Sequence, residues 1–335
     1  GARYGLRLAA VYITLATTGS ILMSASFFWE PFETVINNYD DLVQAIEGIL
    51  TKAKSQNKQF AWRGQVNSDW ALHSSLYRRL SITTALNPIE KEFSKEEKNI
   101  LVSLHQWGLH NVQGRGRLSV LNQLAMLQHF GAPTRLIDVS FNAWVGVFFS
   151  VEEKWSNSIL VNENDDARLF AFDVTNNIIN EQFNRREWED SYSRPWNDEK
   201  IINQPEWTTS FFAWKPPSLD ARISAQNGGF IFGGVPGATG PNRTKFQFPK
   251  SPNFKDGWWP INKGRAACSL ALRPHKFSAN TRAIPSYACY TFRISAGAKK
   301  DIRERLKLMF GYKHSTIYPD YTGFSDFAVP HLKRW

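Results

Sequence analysis

Cysteine is nearly absent. Two in 335 residues, Cys268 and Cys289, are too few for a disulfide framework. They do not stand at the spacing of a paired metal ligand, and none of the seven histidines falls in an HExxH arrangement, so spacing points to no metal site. This cysteine usage suits a reducing cytoplasm. Acidic residues are scarce in one region alone. Residues 231–335 carry 5 acidic and 18 basic side chains, whereas residues 1–230 carry 25 and 22, and the whole chain has a formal charge of +10. A field so one-sided fits a polyanion, either nucleic acid or an acidic protein partner; a lysine-rich solvated face has the same composition.

Charge is also missing from Leu8 to Trp29, which follows Arg3 and Arg7 and, as a helix, approaches the width of a bilayer. Residues 1–29 are therefore set apart as a hydrophobic N-terminal segment: an anchor, a signal peptide or translated upstream sequence. Its Ser, Thr and Gly content and the position of Met23, just ahead of ordinary domain sequence, favour the last, so no membrane partner is expected. What the chain has in quantity is apolar and aromatic surface, at 42% and 14%, with 13 tryptophans. That is ample for a packed core and excludes disorder.

Apolar spacing predicts a helix over Asp40–Ala53 and a strand over Phe60–Arg63 ended by Gly64. A helix follows over Ile89–Gly108, then strands at Arg168–Val174, Gly228–Gly234 and Ala288–Ile294, and a helix at Lys299–Phe310 capped by Gly311. Residues 181–214, with four tryptophans and mixed charge but no clean period, read as an insertion that covers the core or a ligand. The alternation is too irregular for a doubly wound sheet. An α+β fold with a mixed, mainly antiparallel sheet and surrounding helices is expected.

The densest signal is Gln128–Ser150, QHFGAPTRLIDVSFNAWVGVFFS. A helical face from Leu118 to Leu127 is stopped by Gly131 and Pro133, Arg135–Val139 reads as a short buried strand, and a second helix begins near Asn142. His129, Arg135, Asp138 and Ser140 are thus gathered at element ends, where backbone N–H groups and side chains can hold an anion. Arg63, at the end of an aromatic strand and followed by Gly64, can present its planar fork to a phosphate; the alternative is a structural ion pair with Asp138 or Asp69. Ser140 can cap the second helix, and Asp138 can fix an arginine. Gln226 can donate to and accept from an amide, ribose or base edge, or hold its own turn. His73 and His129 are candidate proton carriers.

Four blocks, WRGQVNSDWALHSSLYRR (62–79), the 128–150 stretch, RISAQNGGF (222–230) and STIYPDYTG (315–323), resemble the FRG domain, a bacterial family named for a Phe-Arg-Gly triplet. The likeness runs over roughly residues 39–328, with Trp62 in place of the Phe. FRG domains look similar in organisation to ADP-ribosyltransferases, and that resemblance implies an ADP-ribosyltransferase-like fold with NAD as cofactor. By similarity Arg63 binds the pyrophosphate, Ser140 belongs to the supporting second strand and Gln226 occupies the third motif. The cofactor set expected from these blocks is Arg63, Gly64, Gln65, His129, Thr134, Arg135 and Ser140. The family's later glutamate, which stabilises an oxocarbenium-like transition state, has no counterpart two residues beyond Gln226, where Gly228 stands. The catalytic set is therefore Asp138, Gln226 and Glu206, with Asp138 and Glu206 as candidates for the missing carboxylate. The resemblance implies an NAD-dependent ADP-ribosyltransferase toxin or anti-phage defence effector acting on RNA, DNA or protein. The rival is a non-catalytic module that binds a nucleotide or nucleic acid.

Overall fold

A computed structural model describes residues 25–84, 87–112, 116–156, 158–179, 205–216, 221–237, 246–251, 257–280 and 283–328. A short helix, α1 (Ala25–Trp29), leads through a 3-10 turn into strand β1 (Glu33–Ile36). Phe28 and Trp29 are buried against Phe248, Trp259 and Phe170, so the hydrophobic segment expected to end at residue 29 already belongs to the folded domain from Ala25 on. The expectations for residues 1–24 lie outside the described residues. Among the described residues no helix is long and apolar enough to cross a membrane.

Asn38 opens α2 (Tyr39–Ser55), its Oδ1 accepting from the Asp41 N–H at 2.9 Å, and Leu42, Ile46 and Ile49 line the helix's buried face. Strand β2 (Phe60–Gln65) runs on past Gly64. Helices α3 (Ser75–Thr84) and α4 (Glu90–Gln106) and a small hairpin, β3 (Asn111–Val112) with β4 (Gly116–Arg117), come next. Helix α5 (Val120–His129) is capped by Ser119, and the chain turns at Gly131 (φ 81°) before β5 (Ile137–Ser140). Asn142, not Ser140, caps α6 (Ala143–Val151), accepting from the Trp144 N–H at 2.9 Å.

A second hairpin, β6 (Lys154–Ser156) with β7 (Ile159–Val161), precedes the fully buried β8 (Ala167–Asp173) and β9 (Ile178–Ile179). Of the expected insertion, residues 180–204 lie outside the described residues. Its end is sheet and core: α7 (Pro205–Thr209) carries buried Trp207, and β10 (Phe212–Trp214) pairs within the sheet. The remaining elements are α8 (Ala221–Ala225), β11 (Gly228–Phe232), α9 (Ile261–Ala267), β12 (Arg273–Pro274), β13 (Ala288–Ile294), α10 (Ala296–Phe310), α11 (His314–Ile317) and α12 (Tyr321–Gly323). Gly311, at φ 67°, closes α10 in the left-handed conformation that a glycine C-cap provides.

The main sheet has the order β1-β13-β8-β2-β5-β11-β10-β9, with β12 beside β13. The central pairings from β13 to β10 are antiparallel, and β1, β12 and β9 join in parallel. The fold is α+β with a mixed sheet. Side-chain alternation divides the core: Trp62, Leu169 and Phe292 face α2, α6 and α10, whereas Ala61, Phe170, Phe172 and Ile231 face α1, α9 and the segment around Leu270.

One seam in this sheet is loose. β2 meets β5 through a single bridge, Trp62–Ser140, although β2 pairs with β8 over its whole length. Clefts open on both sides of that bridge, one beside Arg63 and Asp138 and the other beside Phe60 and Phe141.

Candidate functional site

Trp62 and Gly64 turn toward α6, so strand alternation aims Arg63 the other way. Its guanidinium turns back to the seam, where Nη1 donates to the Asp138 carbonyl oxygen at 2.7 Å. Nε is buried and has no partner, and among the described residues Arg63 forms no ion pair with a carboxylate. Neither Asp138 nor Asp69 neutralises it. Burial lowers its pKa, the Asp138 carboxylate opposes that shift, and the neighbouring Arg78 adds to it.

Arg78 comes from α3 and is exposed, and its side chain makes no hydrogen bond or ion pair among the described residues. With His73, Gln128 and Asp138 these two arginines line a cleft of about 170 Å³. His73 lies against Tyr77, with ring centroids 4.6 Å apart, and its Nε2 is 2.8 Å from the Arg265 carbonyl. A carbonyl can only accept, so Nε2 carries the proton and Nδ1 keeps a lone pair. Burial, reinforced by Arg78, pushes the His73 pKa down to about 4, and the ring is neutral at pH 7.

The exposed Asp138 carboxylate accepts from Gln128 Nε2 at 2.9 Å through Oδ1. Gln128 is held in turn by the Thr134 hydroxyl, and the Thr134 N–H donates to Ser75 Oγ at 2.9 Å. Thr134 is fully buried and positions the cleft from behind instead of facing it, a correction to its place in the expected cofactor set. Arg135 needs a larger correction. It is 1% exposed, donates to Glu97 at 2.6 Å and to the Gly233 carbonyl at 2.9 Å, and pairs with Glu90. Its five donors are directed into the core, so no fork is left for a cofactor.

Ser140 is also withdrawn from ligand contact. Its hydroxyl donates to the Gln226 carbonyl at 2.6 Å and accepts from the Asn142 N–H at 3.0 Å. Gln226 holds its own corner, its Nε2 donating to the Ile317 carbonyl at 3.1 Å, and Gly228 pairs with Ser140 inside the sheet. Gly64 admits the α6 backbone instead of a ligand: a methyl there would overlap Gly146 O and Ser150 N. Gln65 is buried, with Nε2 3.4 Å from the Ala71 carbonyl and Oε1 unpartnered. His129 is exposed at the end of α5 and lies in the field of Asp320. The Glu206 side chain lies outside the described residues.

The four sequence blocks nevertheless converge. Arg63 reaches the second block at Asp138, Ser140 reaches the third at Gln226, and the third grips the fourth through a bidentate Arg222–Asp320 pair at 2.6 Å. Tyr318, not singled out from sequence, donates to Glu152 at 2.9 Å and lies under the Arg222 guanidinium at 5.3 Å. Its pKa is raised by burial, then by Glu152, with a smaller push from Asp138, which places it in the field of the cleft. Arg78 was missed too. Its only sequence signal is the helical step from Ser75, which puts both residues on the cleft side of α3.

Residues 58–158 match the family model of the FRG domain. The chain carries an FRG domain. The matched segment holds Arg63, His73, Arg78, Gln128 and Asp138, and so every cleft residue named above. The third and fourth blocks lie outside the matched FRG segment and are tied to it by the Ser140–Gln226 bond and the contacts that follow from it. No curated protein matches the chain, and no solved structure matches it.

Proposed function

We propose that the Arg63 cleft binds the diphosphate of NAD and that the protein is an NAD-dependent ADP-ribosyltransferase, with an ADP-ribosyltransferase-like arrangement of its sheet. One observation carries this reading: an arginine within β2 that no carboxylate neutralises among the described residues, with a buried Nε lacking a partner, stands beside a second unpaired arginine in a cleft. Two guanidiniums with free donors match phosphate oxygens in charge and geometry. The cleft's roughly 170 Å³ is below the ~300–1,000 Å³ of sites that enclose a whole ligand, so it holds the diphosphate while the nucleosides extend along the surface.

Bound NAD supplies a C1′–nitrogen bond that breaks with its electron pair leaving on nicotinamide, while C1′ joins an acceptor nucleophile that gives up its proton. The protein's part is electrostatic. Arg63 and Arg78 fix the diphosphate, and the Asp138 carboxylate, held by Gln128, offers negative charge to the positive charge that develops at C1′. Neutral His73, with a lone pair on Nδ1, can take the acceptor's proton. The basic last third of the chain suits RNA or DNA as acceptor, in the setting of a toxin or anti-phage effector countered by an antitoxin.

The test is incubation with labelled NAD and total RNA, DNA or protein, following both label transfer and nicotinamide release. Wild type transfers label, and Asp138→Asn loses transfer while keeping NAD affinity. A second reading, a nucleotide-binding module without chemistry, is favoured by Gly228 standing in a strand where the family's glutamate would be. NAD binding with neither transfer nor nicotinamide release would select it.

A further inference from the structure

The larger cleft lies across the Trp62–Ser140 bridge from Arg63 and holds about 500 Å³, within the ~300–1,000 Å³ range of small-molecule sites. Half-buried Phe141 and Trp144 give it an aromatic wall, backed by the buried Phe60 and Trp62. These rings are fixed. Trp144 stacks with Tyr39 at 6.1 Å and with Phe310 at 5.5 Å, and Phe60 stacks with Tyr290 at 6.2 Å. The wall therefore presents a rigid apolar surface that needs no ordering when a ligand arrives.

The rim is cationic and amidic. Lys58 is neutralised by Asp173 at 2.7 Å, but Lys215 is exposed, with its Nζ 5.4 Å from the Phe141 ring centroid and no carboxylate partner among the described residues. Asn227 adopts a left-handed φ of 44°, and its carbonyl accepts from the Phe141 N–H at 2.9 Å. Its side-chain amide makes no hydrogen bond among the described residues. By contrast, the Asn142 amide is committed to the Trp144 N–H and the Tyr312 hydroxyl. No carboxylate lines the cleft among the described residues. A free amide that both donates and accepts is the complement of a heterocyclic base edge, and a free ammonium is the complement of a phosphate.

We propose that this cleft is a second nucleotide site, which seats a base against the aromatic wall with Asn227 on its edge and the phosphate on Lys215. It uses neither Arg63 nor Asp138, so it stands whether or not the first cleft takes NAD. If transfer to nucleic acid occurs, this is where an unpaired acceptor nucleotide is held.

The probe is AMP, titrated calorimetrically into the full chain carrying Arg63→Gln, which silences the first cleft. AMP binds this variant as it binds wild type, and adding Lys215→Glu weakens it by about tenfold or more. Asn227→Gly, which removes the amide and keeps the left-handed backbone accessible, weakens it as well. Thermal melting confirms that each variant is folded. No binding at millimolar AMP, an affinity unchanged by Lys215→Glu, or loss with Arg63→Gln alone would each overturn the proposal. Failure of NAD to bind wild type would remove the first reading and leave this one intact.

Discussion

Half-buried Arg63 differs from the buried Arg135 and Arg168 in what surrounds it. Arg135 and Arg168 are each met by buried carboxylates, at 2.6 Å from Glu97 and 2.9 Å from Glu33, whereas Arg63 meets a carbonyl and leaves Nε unpartnered. An unsatisfied buried donor costs about 1–3 kcal/mol, so Arg63→Gln is expected to leave the melting temperature nearly unchanged or to raise it. Arg135→Met removes the partner of two buried glutamates and is expected to cost about 3–5 kcal/mol, read as a lower urea midpoint. His73 gives a pH signature. Its pKa is lowered to about 4, so its contribution to stability is complete above its ordinary value of 6.5 and is lost as pH falls through 4. The His73 ring should show no titration in NMR spectra between pH 8 and 5 if burial controls it, and a midpoint near 6.5 would contradict the buried setting (~6.5 being the free value).

At the scale of elements, β2 and α6 touch backbone to backbone because Gly64 and Gly146 face each other's partners; a Cβ on Gly146 would stand 2.8 Å from that of Trp62. Gly64→Ala should therefore destabilise by about 1–3 kcal/mol or more through overpacking, with helix α6 displaced and circular dichroism reporting a lower melting temperature. This role for the triplet's glycine was not legible in the sequence, where Gly64 follows an arginine and falls in the expected cofactor set. Element positions were legible. Helix α2, strand β13 and helix α10 follow from apolar spacing and caps because each buries a single face. The roles of Arg135 and Ser140 were not. Arg135 has Asp138 three residues away in sequence, yet its partners Glu97 and Glu90 come from α4, and only the fold brings them to it. Glu97 adds an element-scale signature. Burial, against the pull of Arg135, raises its pKa from 4.5 to about 7. The stability it contributes is complete below 4.5 and is lost as pH rises through about 7, so Glu97→Gln should flatten the slope of urea stability across that window.

Over the whole molecule, the four blocks that resemble an FRG domain in sequence are joined end to end by hydrogen bonds and one bidentate ion pair, although residues 58–158 alone match the family model. Convergence was foreseeable from shared order in the chain; which block residues face a cleft was not, because exposure depends on the loose β2–β5 seam and not on local pattern. The excess of basic residues after position 230 is likewise a property of the whole, and it predicts that single-stranded RNA binds with a log–log salt slope of about −0.7 for each phosphate neutralised. A flat salt dependence would argue for a merely solvated basic face. The most direct measurement is the affinity of NAD for wild type and for Arg63→Gln by calorimetry, with melting temperatures taken in parallel. The account predicts that wild type binds and that the variant, still folded, binds about tenfold to a hundredfold more weakly, as expected for losing a charge-assisted phosphate contact. Equal affinity in the two proteins, or no binding by wild type, would contradict it.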